Sequence, residues 1–311
     1  MKKEVRVFAP ASVSNVACGF DIMGFAIENP GDEVLIRVTD KPGIRISKIT
    51  GDGGKLPLNP EENTAGAPVI AICKYAGFKG GLEIEIHKKM PLGSGLGSSA
   101  ASAVASAFAA DRLLELNLTK EQLLEFAIMG EKIASGAVHA DNVAPSLYGG
   151  FILIRGYNPT DIVEIPVPEN LYCTVLHPDT VINTKESRRL LPKLVALEDA
   201  KTQWGNTAGL IAGLMKSDFG LISRSLKDVV IEPARKGTIP CYEKIKQAAL
   251  DAGALGCNIS GSGPSIFALS DSLQTAKLTG DKMRLALDKN IKSDLYISEI
   301  NRRGPFVVEA K

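Results

Sequence analysis

The sequence predicts an α+β fold in which helices and short strands pack together as a sandwich. Segments with helical periodicity are separated by short segments in which apolar and polar residues alternate. The chain has 311 residues, which suggests two domains at roughly 100–200 residues each, or one large domain. Hydrophobic residues make up 45% and charged residues 23%, and these ordinary globular values disfavour a disordered or coiled-coil chain.

In the first half of the chain, alternating apolar and polar side chains predict half-buried strands at residues 5–9, 33–38 and 82–87. Residues 43–60 have the pattern of a strand followed by an exposed turn. The stretch 11–24 is rich in Ser, Asn and Gly and has neither helical nor strand periodicity, so we interpret it as a functional loop.

Three helices are expected in the same half. The first covers residues 63–78, and the second, at 98–116, contains seven alanines and should be buried on most of its circumference. Thr119 and Gln122 have the spacing of a capping box, which starts a third helix that continues to about residue 134.

A domain boundary is expected near residues 156–159, where turn residues accumulate after a short apolar strand at 151–154. We therefore divide the chain into an N-terminal domain, 1–157, and a C-terminal domain, 158–311. The second domain alternates predicted helices at 185–191, 200–215, 220–227 and 241–252 with predicted strands at 171–176, 265–269, 294–300 and 306–308.

Charge and cysteine usage exclude several classes of protein. Lys and Arg total 36 against 35 Asp and Glu, so no overall field favours nucleic acid or an anionic membrane. The N-terminus lacks a signal-peptide pattern and no apolar run approaches the roughly 18 residues of a membrane span, so we expect a soluble cytoplasmic protein. Five cysteines without a C-x-x-C spacing predict free thiols.

A glycine-rich loop before the second helix has the properties of a phosphate site. It comprises Pro91, Leu92, Gly93, Ser94, Gly95, Leu96, Gly97, Ser98, Ser99, Ala100 and Ala101. Alternate glycines let the backbone approach a ligand closely, and the helix N-terminus attracts an anion. A dinucleotide loop would need glycine at position 98, and a Walker loop would need a lysine that is absent. The remaining alternative is a turn that only packs the helix against the sheet.

The third helix carries an acidic residue on its apolar stripe. Leu124, Ala127, Ile128 and Glu131 recur at i, i+3, i+4 and i+7, which directs Glu131 towards the core. A buried carboxylate is costly without a cation or hydrogen-bond donors, and Mg²⁺ prefers such hard oxygen ligands. Alternatively, Glu131 pairs with a lysine such as Lys132 at the helix end.

Three motifs resemble those of the GHMP kinases. PLGSGLGSSAAS at 91–102 is similar to their phosphate-binding motif, 9–15 to their substrate motif, and 258–265 to their C-terminal glycine motif. The resemblance implies an N-terminal domain like the second domain of ribosomal protein S5, a ferredoxin-like C-terminal domain, and an active site between them. It also implies ATP and Mg²⁺, with Glu131 and Ser99 as metal ligands and Ser98 as the alternative to Ser99. In this family Gly261, Ser262 and Gly263 would support the phosphate loop.

Further segments resemble the homoserine kinases within that family, at 19–24, 139–150, 184–188 and 232–235. The resemblance implies phosphorylation of the side-chain hydroxyl of L-homoserine, a step of threonine biosynthesis, and a homodimer. The balanced charge already predicts that neither nucleic acid nor a membrane is a partner. A kinase for another hydroxylated metabolite and a non-catalytic ligand-binding protein remain alternatives.

The chemistry of homoserine suggests roles for the matching residues. A forked guanidinium suits a carboxylate, so Arg188 and Arg235 are candidates for the α-carboxylate. Asp21 can bind the α-ammonium, and Asn15 can orient the hydroxyl group.

The segment 139–142 is harder to interpret. Asp141 either accepts the hydroxyl proton as a general base or holds the ammonium group. His139, Asn142 and Thr184 are further substrate-binding candidates, and a structural hydrogen bond is the alternative for His139. At position 17 the chain has alanine where the family motif has glycine, which places a β-carbon in a tight turn.

Overall fold

The computed structural model describes residues 3–135, 140–157, 159–182 and 184–311. Within these ranges the chain forms two sheets with helices packed against them, so the predicted α+β fold is confirmed. A search of the same ranges finds no helix that is both long enough and apolar enough to cross a membrane.

The first sheet contains seven strands among the described residues. They are β1 Glu4–Ser14, β2 Met23–Thr39, β3 Gly43–Thr50, β4 Gly81–His87, β5 Phe151–Tyr157, β6 Thr160–Ile165 and β11 Phe306–Ala310. The order across the sheet is β11-β1-β2-β4-β3, with β5 paired to the start of β2 and β6 paired to β5. The pair β3 and β4 is parallel and the others are antiparallel.

The loop predicted at residues 11–24 is wrong at both ends, because β1 continues to Ser14 and β2 begins at Met23. Ser12 and Ser14 are buried in the strand although their side chains are polar. Their hydroxyl groups exchange hydrogen bonds with the amide of Asn142, at 2.9 Å and 3.1 Å. Because their hydroxyl groups are hydrogen-bonded in this way, both serines can occupy core positions. The loop itself is limited to residues 15–22.

Four helices belong to the first half of the described chain. They are α1 Gly66–Ala76, α2 Ser98–Leu114, α3 Lys120–Ser135 and α4 Val143–Tyr148. Helix α2 packs against β1 and β2 and is flanked by α1 and α3, and its alanines allow these close approaches. The capping box of α3 is confirmed, since Thr119 and Gln122 each accept the other's backbone N–H.

The second sheet has four antiparallel strands within the described ranges, in the order β10-β7-β9-β8. The strands are β7 Tyr172–Pro178, β8 Gly256–Ile259, β9 Ile266–Ser270 and β10 Ser293–Glu299. The helices of this half are α5 Thr184–Arg189, α6 Leu197–Lys216, α7 Phe219–Ser225, α8 Ile231–Arg235, α9 Tyr242–Asp251 and α10 Leu273–Ala286. Helices α9 and α10 pack against each other and against this sheet.

The two sheets are joined through a shared core. Phe25 of β2 stacks on Phe151 of β5 at 4.5 Å between ring centroids, and Phe267 of β9 meets Phe25 edge-on at 5.8 Å. The boundary expected between residues 157 and 158 lies between β5 and β6, which pair with each other, and β11 returns to β1. Because β6 and β11 follow the expected boundary in sequence but belong to the first sheet, the sheets do not divide there. The domain boundary stays a prediction.

All five cysteines are free thiols, as predicted. Cys18, in the loop between β1 and β2, is buried, and burial raises its pKa to about 11. A thiol with such a pKa is protonated near neutral pH and is a poor nucleophile. Cys18 is therefore not suited to act as a nucleophile.

Candidate active site

A cavity of about 380 Å³ lies where loops from both halves of the chain meet. Most of the residues singled out from the sequence line it: Asn15, Asp21, Leu92, Gly93, Ser94, Gly95, Gly97, Ser98, Ser99, Glu131, Asp141, Asn142, Arg188, Arg235, Gly261 and Ser262. The lining also contains five residues to which no individual role was assigned from the sequence: Ser14, Phe20, Leu56, Thr64 and Lys88. His139 and the side chain of Thr184 lie outside the described part of the chain.

The glycine loop connects β4 to the N-terminus of α2, as predicted. Gly93, Gly95 and Gly97 all adopt positive φ, at 69°, 78° and 66°. A β-carbon on Gly97 would lie 2.2 Å from the Ser12 hydroxyl oxygen, so a larger residue is sterically excluded there as well. The first N–H groups of α2 have no partner within the helix, and they lie at its positive end, which is suited to an anion.

A second loop, between β8 and β9, braces the glycine loop from the other half of the chain. Ser260 donates its hydroxyl hydrogen to the carbonyl oxygen of Gly95 at 2.6 Å, and the N–H of Ser265 donates to the carbonyl of Ser94 at 3.2 Å. A β-carbon on Gly95 would lie 2.9 Å from the carbonyl oxygen of Gly263. Residues 261–263 therefore lie against the glycine loop, and the hydrogen bonds between the two loops come from the flanking Ser260 and Ser265.

Replacing Gly263 with valine is expected to impair ATP use. Gly263 has φ of 83°, and a β-carbon there would lie 2.9 Å from Cδ1 of Ile239. A branched side chain at positive φ costs about 1–3 kcal/mol and displaces the backbone that touches Gly95. Thermal melts with and without ATP and Mg²⁺ should show a lower melting temperature and a reduced ATP-induced shift.

The matched control for that substitution is Gly237→Val, because Gly237 is exposed and a β-carbon added there would have no atom within 4 Å. If Gly263→Val melts several degrees lower but retains the full ATP-induced shift, the loop is only a turn and does not brace the anion site.

A buried charge cluster lies behind the start of α2. Asp32 accepts hydrogen bonds from the Lys88 ammonium, the Ser98 hydroxyl at 2.9 Å and the Ser102 hydroxyl at 3.2 Å. Lys88 also donates to the carbonyl oxygen of Ser98 at 2.8 Å. Burial lowers the pKa of Lys88, and the Asp32 carboxylate opposes that shift. The cluster fixes the first turn of α2 and engages the hydroxyl of Ser98.

Glu131 lies on the buried side of α3, as its periodicity predicted, and faces Ser99 at the start of α2. The hydroxyl of Ser99 donates to Oε2 of Glu131 at 2.8 Å. Burial raises the pKa of Glu131 to about 7, while the Ser99 hydrogen bond opposes this. A carboxylate and a hydroxyl placed together at an anion site are suited to Mg²⁺, which takes few protein oxygens alongside phosphate oxygens and water.

Asp141 precedes α4 and is almost completely buried. Burial raises the pKa of Asp141 to about 6, and the negative charge of Asp21 adds to the effect. A hydrogen bond with Ser14 and the charge of Arg188 oppose the shift. The adjacent Asn142 is held by Ser12 and Ser14, so its amide joins β1 to α4 at the cavity wall.

The loop at residues 15–22 has an uncommon backbone. Asn15, Val16, Ala17 and Asp21 all have positive φ, between 41° and 71°. This includes the alanine that replaces a family glycine, and a β-branched valine for which such a conformation is an outlier. The amide of Asn15 donates to the carbonyl of Gly261 at 2.8 Å, and its carbonyl oxygen accepts the N–H of Asp21 at 3.1 Å.

Opposite charges lie side by side at one end of the cavity. Arg188 donates two hydrogen bonds to Asp21, at 2.7 Å and 3.1 Å. Arg235 is buried and donates to the carbonyl of Gly261 at 3.0 Å. Both guanidinium groups lie against the ring of Phe20, at 5.6 Å and 5.3 Å from its centroid. Sequence reasoning expected these charged residues to meet a ligand and missed that two of them pair with each other.

Comparison with known families gives two matches along the chain. The model of the GHMP kinases N terminal domain matches residues 63–150, and that of the GHMP kinases C terminal matches residues 210–289. The homoserine kinase of Chlorobium phaeovibrioides is 50% identical over 315 residues, covering 97% of this chain and 98% of that protein. The homoserine kinase of Chlorobaculum tepidum is 47% identical over 319 residues, covering 98% of each.

Solved structures show the same relationship. The crystal structure of a homoserine kinase from Cytophaga hutchinsonii superposes with a TM-score of 0.97 at 54% identity, covering 99% of this chain and 98% of that chain. The L. major mevalonate kinase in complex with R-mevalonate gives a TM-score of 0.73 at 18% identity, with 94% and 95% covered. The second similarity concerns the fold alone.

Proposed function

The chain belongs to the GHMP kinase family, as its motifs predicted, and we propose that it transfers the γ-phosphoryl group of ATP to the side-chain hydroxyl of L-homoserine. The product would be O-phospho-L-homoserine, an intermediate of threonine biosynthesis. The observation that carries the proposal is the cavity, where an anion site at the start of α2 faces paired opposite charges contributed by Asp21, Arg188 and Arg235. Similarity to homoserine kinases over nearly the whole chain supports the same substrate.

The charged end of the cavity fits a zwitterionic amino acid. In the proposed complex, the α-carboxylate binds Arg188 and Arg235, since a guanidinium can donate two parallel hydrogen bonds to it. The α-ammonium binds Asp21, so the substrate replaces part of the ion pair between Asp21 and Arg188 with its own two charges. Asn15 orients the hydroxyl group. An alcohol without an amino-acid head would leave these charges unsatisfied.

The other end of the cavity fits a nucleoside triphosphate. The glycine loop and the N–H groups at the start of α2 would bind the phosphates, while the loop around Gly261 keeps the glycine loop in place. Glu131 and Ser99 would hold Mg²⁺, because the Ser99 hydroxyl lies beside the Glu131 carboxylate, whereas the Ser98 hydroxyl is directed into the buried cluster at Asp32. When bound there, the metal would supply charge neutralisation for the transferring phosphoryl group. Phosphoryl transfer depends on positioning and electrostatics, which this arrangement supplies.

Asp141 has two possible roles in this mechanism, and both require its ionised form. As a general base it would accept the hydroxyl proton, and as a binding group it would attract the ammonium. Because the pKa of Asp141 is raised to about 6, the carboxylate is ionised above that pH and protonated below it. At saturating Mg²⁺, which would keep Glu131 ionised as a ligand, we therefore expect kcat/KM for homoserine to fall by about tenfold per pH unit below pH 6.

The pH profile is checked against Asp141→Asn, which cannot titrate at this position. This variant should have low activity, and its kcat/KM should no longer show the acid limb, the fall below pH 6. If the limb persists unchanged in the variant, another group is responsible for it.

A coupled assay of ADP release tests the proposed function directly. With ATP and Mg²⁺ present, homoserine should release ADP well above the rates with shikimate, galactose or mevalonate. Preference for another of these acceptors would instead identify a kinase for a different hydroxylated metabolite. If none of these acceptors leads to ADP release, but ATP still raises the melting temperature, the chain is a non-catalytic ligand-binding protein.

The homodimer expected from the family and the cytoplasmic location expected from the sequence remain part of this proposal. Sedimentation of the purified chain at several concentrations would test the homodimer.

A further inference from the structure

The substrate loop at residues 15–22 needs support from outside itself. Four of its non-glycine residues have positive φ, and such conformations persist only when surrounding contacts hold them. Within the loop, the hydrogen bond from the Asp21 N–H to Asn15 closes the ends of the turn. The middle of the loop is hydrogen-bonded to the second half of the chain through the backbone and side chain of Cys18.

Helix α6 contacts that middle segment through one backbone group. The carbonyl oxygen of Cys18 lies 2.9 Å from the hydroxyl of Thr207 and accepts a hydrogen bond from the amide of Gln203 at 3.3 Å. The single hydroxyl hydrogen of Thr207 is shared between this carbonyl and the backbone carbonyl of Gln203, which is also 2.9 Å away. These two residues are one turn apart on α6, so both side chains reach the same face. A carbonyl held by two donors is restrained in direction, and the backbone on either side of it is restrained with it.

Gln203 also reaches the segment that leads into α8. Its amide nitrogen donates to Oδ1 of Asp228 at 2.9 Å, and its amide oxygen accepts the N–H of Val229 at 3.1 Å. Asp228 in turn accepts the backbone N–H groups of residues 230, 231 and 232, which are at the start of the helix that carries Arg235. One side chain on α6 therefore connects the loop that bears Asn15 and Asp21 to the helix that bears Arg235.

We infer that Thr207 and Gln203 are positioning residues for the amino-acid substrate, holding the strained substrate loop in its binding shape and in register with α8. The inference rests on the proposed function for the identity of the substrate. Neither residue lines the cavity among the described residues, so their effect is transmitted through Cys18, Asp228 and the elements these residues belong to. Their loss should weaken binding of the amino acid and leave the ATP end of the cavity unaffected.

Steady-state kinetics of three variants at these two positions test the inference. Thr207→Val keeps the shape of the side chain and removes the hydroxyl, and we expect it to raise KM for homoserine about threefold to tenfold. Thr207→Val combined with Gln203→Met should raise it further, by about tenfold to a hundredfold. Thr207→Ser retains the hydroxyl and should keep KM close to that of the unaltered protein. In each case KM for ATP should change by less than about twofold.

Thr202→Val is the matched control. Thr202 is on the same helix and is exposed, and its hydroxyl donates to the carbonyl of Glu198 one turn earlier in that helix. This control should change neither KM. Equal rises in both KM values, or a homoserine KM within twofold of normal in Thr207→Val, would show that α6 has only a structural role. If the double variant fails to fold, Thr207→Val and Thr207→Ser still decide the question.

The two failures are distinguishable because the unaltered protein is measured in the same assay. If it does not phosphorylate homoserine, the proposed function is wrong. The same variants are then compared on the acceptor that it does phosphorylate, and an unchanged KM for that acceptor overturns the inference about α6.

Discussion

Replacing Glu131 with glutamine is expected to lower kcat by about a hundredfold or more while the fold is retained. The substitution removes the negative charge without changing the side-chain volume, and the Gln oxygen can still accept the hydroxyl hydrogen of Ser99. What is lost is the hard anionic ligand that we propose for Mg²⁺. The dependence of the rate on Mg²⁺ concentration should therefore shift to higher concentrations, while KM for homoserine changes little.

Glu125→Gln is the control for this variant, because Glu125 lies on the exposed side of the same helix. It should retain the kcat and the metal dependence of the unaltered protein. If Glu131→Gln also retains both, Glu131 has a structural role and the metal site lies elsewhere.

Replacing Arg235 with leucine should have its main effect on the amino-acid substrate. A substrate carboxylate that loses a charged partner in a buried site should bind more weakly by about 2–4 kcal/mol, which raises KM about 30- to 1000-fold. Arg235 is buried and lies against Phe20, so leucine can occupy the apolar part of its space. Initial rates at varied homoserine and saturating ATP measure the effect, and the reverse experiment measures KM for ATP.

The exposed Arg224 of α7 provides the matched control, since Arg224→Leu makes the same chemical change outside the cavity. That variant should show normal kinetics. A rise in KM for ATP equal to the rise for homoserine in Arg235→Leu would place this arginine at the nucleotide instead. A fall in melting temperature without any change in KM would make it a structural residue.

The parts of the structure that depend on local pattern could be predicted from the sequence. The alanine-rich helix, the capping box at Thr119 and the glycine loop all express rules that act within a few residues. Glu131 was located because a carboxylate on an apolar stripe must meet a cation or hydrogen-bond donors where it is buried. The family motifs added the second half of the site, which periodicity alone could not connect to the first.

The parts that were missed depend on partners far away in the chain. Ser12 and Ser14 are polar and therefore indicated a loop, yet Asn142 satisfies them inside a strand. Strand β6 was missed because only its last residue is buried, so it lacks a clear apolar face. No local signal marked the cluster of Asp32 and Lys88, whose members are 56 residues apart.

Distance along the chain also explains what was missed around the charged residues of the site. The residues Asp21 and Arg188 are 167 positions apart, and sequence reasoning assigned each to a ligand without seeing that they pair. Gln203 and Thr207 look like ordinary polar residues of an amphipathic helix, and only the fold shows that both reach the carbonyl of Cys18.

The central claim is that homoserine is the phosphoryl acceptor, and identification of the product by nuclear magnetic resonance tests it most directly. The protein is incubated with ATP, Mg²⁺ and L-homoserine, and the phosphorus spectrum is recorded with proton coupling. We predict a new phosphomonoester signal that is coupled to the two protons on the γ-carbon of homoserine and grows in step with ADP. Inorganic phosphate as the only new phosphorus product besides ADP, or no consumption of ATP, would contradict the claim.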